Sequence, residues 1–161
     1  MNLFIFGNPL SGSHSGQLQI NQLVETCTKH SIHFKLFQTQ RAGELPELLE
    51  KHLPERNDRT KVVIIGGDGT LNEALQYLKQ HQLIVTLSYL PAGTGNDFSR
   101  EMNLIHDAEQ FVLNLQAAPT LDLEFLSYHE KYSEKSGVAL NSLGFGIDAA
   151  ICELNQHQRQ A

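Results

Sequence analysis

The residues of this chain best suited to chemistry sit in three short turns. The first is Gly66-Gly67-Asp68-Gly69-Thr70-Leu71-Asn72-Glu73, which follows the apolar run Val62-Val63-Ile64-Ile65. Glycines let backbone N–H groups approach an anion, and a helix that follows adds its positive amino-terminal end. The turn holds no lysine, so it is not a Walker A loop, and it does not match Gly-x-Gly-x-x-Gly. Asp68 needs a reason, because a carboxylate facing phosphate is repelled unless Mg²⁺ or water lies between them. A metal-bridged nucleotide supplies that reason. The competing reading is a tight strand–helix turn in which Asp68 caps the helix.

The second turn is Pro91-Ala92-Gly93-Thr94-Gly95-Asn96-Asp97-Phe98. Thr94 and Asn96 can hydrogen-bond phosphate or ribose, and Asp97 can cap a short helix; a capped connecting loop is the alternative. The third is Asn8-Pro9-Leu10-Ser11-Gly12. By composition it is an ordinary turn, and its weight comes from position. Each of the three turns follows a strand-like run, so in a parallel sheet all three share one edge. A nucleotide cleft needs that convergence.

The elements that must position these turns alternate. Residues 2–6, 32–37, 62–65 and 83–90 read as strands. Helical stripes lie between them: Ile20, Leu23, Val24 and Cys27; Leu45, Leu48, Leu49 and Leu53; Leu71, Ala74, Leu75 and Leu78. Asp107 is placed to cap a helix burying Ala108, Phe111, Val112 and Leu115. This grammar implies a parallel α/β sheet between helical layers, a three-layer domain, over residues 1–118. After Pro119 it changes. Leu121 to Tyr128 and Gly137 to Leu143 read as strands joined by a charged turn, with a helix beginning in 144–155. The expectation for 119–161 is the opening of a second, β-rich domain.

Composition narrows the function classes. With 161 residues, 40% hydrophobic and 19% charged, the chain has the balance of a soluble globular protein. A net charge of -6 speaks against nucleic acid as the main partner and offers no bulk pull toward acidic membranes. The apolar runs Leu3 to Phe6 and Val62 to Ile65 are far too short to span a bilayer. The amino terminus shows no signal-peptide pattern. Cys27 and Cys152 fit reduced thiols of a cytoplasmic protein. The eight histidines are scattered and read as surface residues.

Taken in order, Asn8-Pro-x-Ser-Gly12, Gly66-Gly-Asp-Gly-Thr-Leu-Asn-Glu73 and Gly93-Thr-Gly-Asn-Asp-Phe-Ser-Arg100 resemble the diacylglycerol kinase catalytic domain family, which includes sphingosine kinases and bacterial lipid kinases. Asn141-Ser-Leu-Gly144-Phe-Gly146-Ile-Asp148-Ala149 is similar to a later family stretch. The glycine–aspartate turn by itself is shared with NAD kinases and phosphofructokinases; the other two motifs separate this chain from them. The resemblance implies an NAD-kinase-like α/β domain and an ATP-dependent lipid kinase acting on diacylglycerol or a related lipid at the membrane surface. It implies ATP and Mg²⁺ as cofactors. Nucleotide contacts are implied for Asn8, Pro9, Leu10, Ser11, Gly12, Thr39, Gly66, Gly67, Asp68, Gly69, Thr70, Leu71, Asn72 and Thr94. Supporting roles are implied for Glu73, Gly95, Asn96 and Asp97, and loop ordering or substrate contact for Asp97 and Arg100. Asp68 would be the catalytic carboxylate of this part, reaching the metal through water.

Family members continue into a β-sandwich domain that carries the general base, further acidic groups and much of the lipid site. The expectation is therefore a nucleotide-binding half, inactive alone, with an NAD-kinase-like enzyme or a non-catalytic nucleotide-binding module as alternatives. Strands at 121–143 without their partners would present open edges. Self-association or disorder there is the expected outcome, giving a homo-oligomer by light scattering or weak amide protection; a monodisperse monomer with well-protected amides across 121–143 would contradict it.

Overall fold

The computed structural model describes residues 1–131 and 134–142. Four parallel strands form the main sheet: β1 (Asn2–Gly7), β2 (His33–Gln38), β3 (Thr60–Gly66) and β4 (Leu87–Pro91), in the order β2-β1-β3-β4. Among the described residues five helices accompany them: α1 (Ser15–Lys29), α2 (Leu45–His52), α3 (Asp68–Gln80), α4 (Asp97–Glu101) and α5 (Ala108–Asn114). A short 3₁₀ turn, Leu53–Glu55, extends α2. The chain divides into two compact units, Met1–Leu123 and Glu124–Ala161. Among the described residues of the second, β5 (Leu126–His129) and β6 (Ser136–Ala139) pair antiparallel.

The central strands are apolar without interruption because both sheet faces are covered. Successive side chains alternate between faces. Leu3, Ile5, Val63 and Ile65 share one core with Ile20, Leu23 and Cys27 of α1 and with Ala108, Phe111 and Val112 of α5. Phe4, Phe6, Val62 and Ile64 therefore fill the opposite face, where α2 packs on α3. Phe37 joins that face, its ring 5.7 Å from Phe4 and 5.0 Å from Phe6. The expected cap is present: the Asp107 carboxylate accepts the Gln110 N–H at 2.8 Å.

Three expected boundaries move. The strand expected over 83–90 starts at Leu87, because its pairing with β3 begins only at Val62↔Leu87. Gln82 turns left-handed (φ 52°), and Ile84 stands 99% exposed. The strands expected over 121–128 and 137–143 shrink to four residues each, the extent of the register from Leu126↔Ala139 to His129↔Ser136. The helix expected in 144–155 lies outside the described residues. No helix among those described is long and apolar enough to cross a membrane.

Truncating Ile5, fully buried in the central strand, should cost about 2–5 kcal/mol. Truncating Ile84 should change stability by less than about 0.5 kcal/mol. Urea unfolding of Ile5→Ala and Ile84→Ala measures both.

Candidate functional site

Chain direction reverses between β1 and β3. From β1 the chain moves out to β2; from β3 it moves the other way, to β4. The carboxyl ends of β1 and β3 thus flank a topological switch point, where open α/β sheets bind ligands. The Asn8–Gly12 and Gly66–Thr70 turns meet there. Asn8 N–H donates to the Ile65 carbonyl at 2.8 Å. Its side-chain Nδ2 donates to Thr70 Oγ1 at 3.2 Å, and its Oδ1 accepts the Leu10 N–H at 3.1 Å.

The Pro91–Phe98 loop closes on both. Gly67 and Gly93 touch backbone to backbone: a methyl group on Gly93 would lie 2.5 Å from Gly67 Cα. Ser15 Oγ donates to the Ala92 carbonyl at 2.6 Å. Gly12 is left-handed (φ 55°), and a side chain there would meet the same carbonyl at 2.4 Å. So position 12 requires glycine for both conformation and space.

Asp68 makes the link that sequence reasoning did not anticipate. It is the first residue of α3, yet its carboxylate caps a different helix. Oδ2 accepts the Asp97 N–H at 2.9 Å and Oδ1 accepts the Phe98 N–H at 3.2 Å. The α4 N-cap, Asn96, is left-handed and makes no side-chain cap. Asp97, expected as that cap, instead pairs with Arg100 on the exposed surface. An acidic residue in a glycine turn thus has a structural reason too: it joins the Gly66–Glu73 turn to the Pro91–Phe98 loop.

The other expected residues divide by environment. Leu71 is buried in the core, so only its backbone can face a ligand. Leu10 and Thr94 are exposed. The Asn96 amide folds onto its own loop, accepting the Gly93 N–H at 2.7 Å and donating to the Gly93 carbonyl at 2.8 Å. Thr39 is buried at the end of β2, its N–H on the Gly7 carbonyl. Gly95 sits beside the Asp68 and Asp97 carboxylates. Glu73 is half-buried, and burial raises its pKa, opposed by a hydrogen bond from the Gly43 backbone. That bond ties α3 to the loop after β2.

Two residues carrying this geometry are not among the expected site residues, Ser15 and Tyr89. The Tyr89 hydroxyl donates to the Gly66 carbonyl at 3.0 Å. The available signal was that a tyrosine in a buried strand must seat its hydroxyl on an acceptor.

The edge can receive an anion. The α3 ladder starts with Leu71 N–H to the Gly67 carbonyl. The N–H groups of Asp68, Gly69 and Thr70 precede it, and the Gly67 cap has no side chain to meet them. A methyl group on Gly69 would meet nothing within 4 Å. One turn into α3, Asn72 Oδ1 is buried without a hydrogen-bond partner among the described residues.

The comparisons agree with this fold. The family model "Diacylglycerol kinase catalytic domain" matches residues 2–127. This chain belongs to the diacylglycerol kinase catalytic domain family. A diacylglycerol kinase of Staphylococcus carnosus (strain TM300) is 30% identical over 103 residues, covering 64% of this chain and 33% of that protein. A Staphylococcus aureus (strain JH9) protein, named only as a candidate lipid kinase, is 27% identical over 153 residues, covering 91% of this chain and 48% of that protein. The crystal structure of a diacylglycerol kinase from Bacillus anthracis str. Sterne shares the fold, with a TM-score of 0.57 and 24% identity over 73% of this chain and 40% of that one. The chain thus spans a third to a half of the length of the curated relatives it matches.

Two outcomes test the site as built. Gly93→Ala sets a methyl against Gly67 Cα and should destabilise by about 1–3 kcal/mol in urea unfolding. Glu73 has its carboxyl pKa raised by folding, so the folded state holds the proton more tightly than the unfolded one. Stability should therefore fall as pH rises from the ordinary carboxylate pKa through the raised one. In Glu73→Gln that step should vanish, which melting curves from pH 4 to 8 would show.

Proposed function

We propose that this chain is the nucleotide-binding part of an ATP-dependent lipid kinase, which transfers the γ-phosphoryl group of ATP to the hydroxyl of diacylglycerol or a related lipid. The observation that carries this reading is the contact of three motif loops at the switch point, beside the first N–H groups of α3, with open space around the Gly69 Cα. Family membership supports the lipid substrate.

In this reading the amide groups of Asp68, Gly69 and Thr70 cradle phosphate oxygens. Asn8 and Thr70 hold the two strand ends at a fixed spacing. Thr94 and the loop after Thr39 flank the nucleotide. Asn72 Oδ1 accepts from a ribose hydroxyl or from a metal-bound water. Both Asp68 oxygens already accept a backbone N–H, and their remaining lone pairs can take water. Asp68 would thus hold Mg²⁺ indirectly, through water. When bound, Mg²⁺ offsets the negative charge on the transferring phosphoryl group. We place the group that takes the hydroxyl proton, and most of the lipid site, in the length that the relatives have beyond these residues. The chain alone then binds nucleotide without turning over lipid, and the whole protein meets its substrate as a peripheral enzyme at the membrane surface, from the cytoplasm.

Gly69→Ala separates ligand from fold. Its methyl meets no protein atom, and alanine is the better helix former. Stability should be kept or raised, while calorimetry should show ATP–Mg²⁺ binding weakened by about tenfold or more. Unchanged affinity in Gly69→Ala, tighter wild-type binding of NAD than of ATP, or phosphorylation of diacylglycerol vesicles by the 161-residue chain would each contradict the reading.

A further inference from the structure

Tyr89 lies in the edge strand β4, with its ring almost wholly covered. It is paired with Ile64 of β3, so its side chain shares a sheet face with residues two along, at the end of β3. Its hydroxyl reaches the Gly66 carbonyl there at 3.0 Å. That carbonyl also accepts the Ala92 N–H at 2.7 Å, the last rung of the β3–β4 ladder. A carbonyl oxygen has two lone pairs, and both are taken from the β4 side.

The consequence falls on the next amide. The peptide bond is planar and trans, as throughout the described chain, so the Gly67 N–H points opposite to the Gly66 C=O. With that carbonyl turned toward β4, the N–H is turned toward β1, whose far loop is Asn8–Gly12. Ser11 Oγ sits 3.3 Å from where a Gly67 side chain would begin. Two flanking glycines would otherwise let this peptide rotate easily.

Tyr89 also braces the Pro91–Phe98 loop, its ring 6.2 Å from that of Phe98. Phe98 is one of the two residues whose N–H groups Asp68 caps. A single side chain thus sits beneath both glycine loops. Burial, with the nearby Asp68 charge, pushes the phenol pKa up. The hydroxyl stays protonated and remains a donor.

We propose that Tyr89 is a positioning residue that locks the Gly66–Gly67 peptide with the Gly67 N–H aimed into the switch-point crevice, where it receives a phosphate oxygen. The phosphate part rests on the nucleotide reading above; the locked peptide does not.

The test is Tyr89→Phe in the ¹⁵N-labelled 161-residue chain, which removes one oxygen and keeps the ring. Without ligand, the Gly67 amide resonance should move. The affinity for ATP should fall by roughly three- to tenfold, the worth of one net hydrogen bond, while that for adenosine, which has no phosphate, stays within about twofold. An unmoved Gly67 amide resonance overturns the proposal. So does an equal loss for ATP and adenosine, which would mark a general loosening. If the wild type binds neither, the failure belongs to the nucleotide reading, and the ligand-free Gly67 amide still decides the lock. Should Tyr89→Phe not fold, 3-fluorotyrosine placed at position 89 keeps the shape and donates more strongly. The Gly67 resonance should then move, and a fixed resonance would overturn the proposal.

Discussion

The carboxyl edge of the sheet depends on two backbones that touch. Gly67 and Gly93 approach so closely that a side chain at position 93 would force the loops apart, and one at position 67 would be tight. The parallel register sets this up: Gly66 pairs with Pro91, so the loops leaving β3 and β4 start level and side by side. Three side chains then hold the contact from different directions. Asp68 spans to the start of α4, Ser15 reaches the Ala92 carbonyl, and Asn8 reaches Thr70. The result is a surface of backbone amides held at fixed spacing, and such a surface presents N–H groups without a reorganisation cost.

That construction accounts for an electrostatic oddity. A chain with a net charge of -6 would be expected to repel a polyanion. The three motifs contain one cation, Arg100, and it is paired with Asp97. On the proposed nucleotide reading, attraction would come from Mg²⁺ carried with the nucleotide and from partial charges on unpaired N–H groups at the amino end of α3, which act over a few ångströms. Bulk charge governs long-range encounter, whereas amide dipoles govern the contact. The two are separable, and the proposal rests on the second. The acid at Asp68 is tolerated because two backbone N–H groups from α4 already meet it.

Much of this was legible in the sequence, for identifiable reasons. Val62–Ile65 announces a strand covered on both faces, and Leu71, Ala74 and Leu78 announce the helix after it, because burial writes its period into residue type. The Asp107 cap was legible because its partner lies three residues away. Long-range partners were not. Nothing near Asp68 in the chain says that its carboxylate serves Asp97 and Phe98, and Asp97 itself looked like the cap. The strand order, which makes the β1–β3 gap a crevice, depends on pairings that local pattern does not encode. The start of β4 was misplaced because Leu83 to Thr86 have strand-like side chains but no strand beside them. Tyr89 was hidden by its setting, an apolar strand in which it looked like one more core residue.

The central claim is that one edge of this sheet, built from backbone amides, receives the phosphates of a nucleotide. Amide shift mapping of the ¹⁵N-labelled chain during titration with ATP and Mg²⁺ tests it most directly. The account predicts the largest changes at Asn8–Gly12, Gly67–Thr70 and Gly93–Gly95. Changes centred instead on the concavity at the opposite edge, lined by Asn2, His33, Lys35 and Thr60, or no changes at saturating nucleotide, would contradict it.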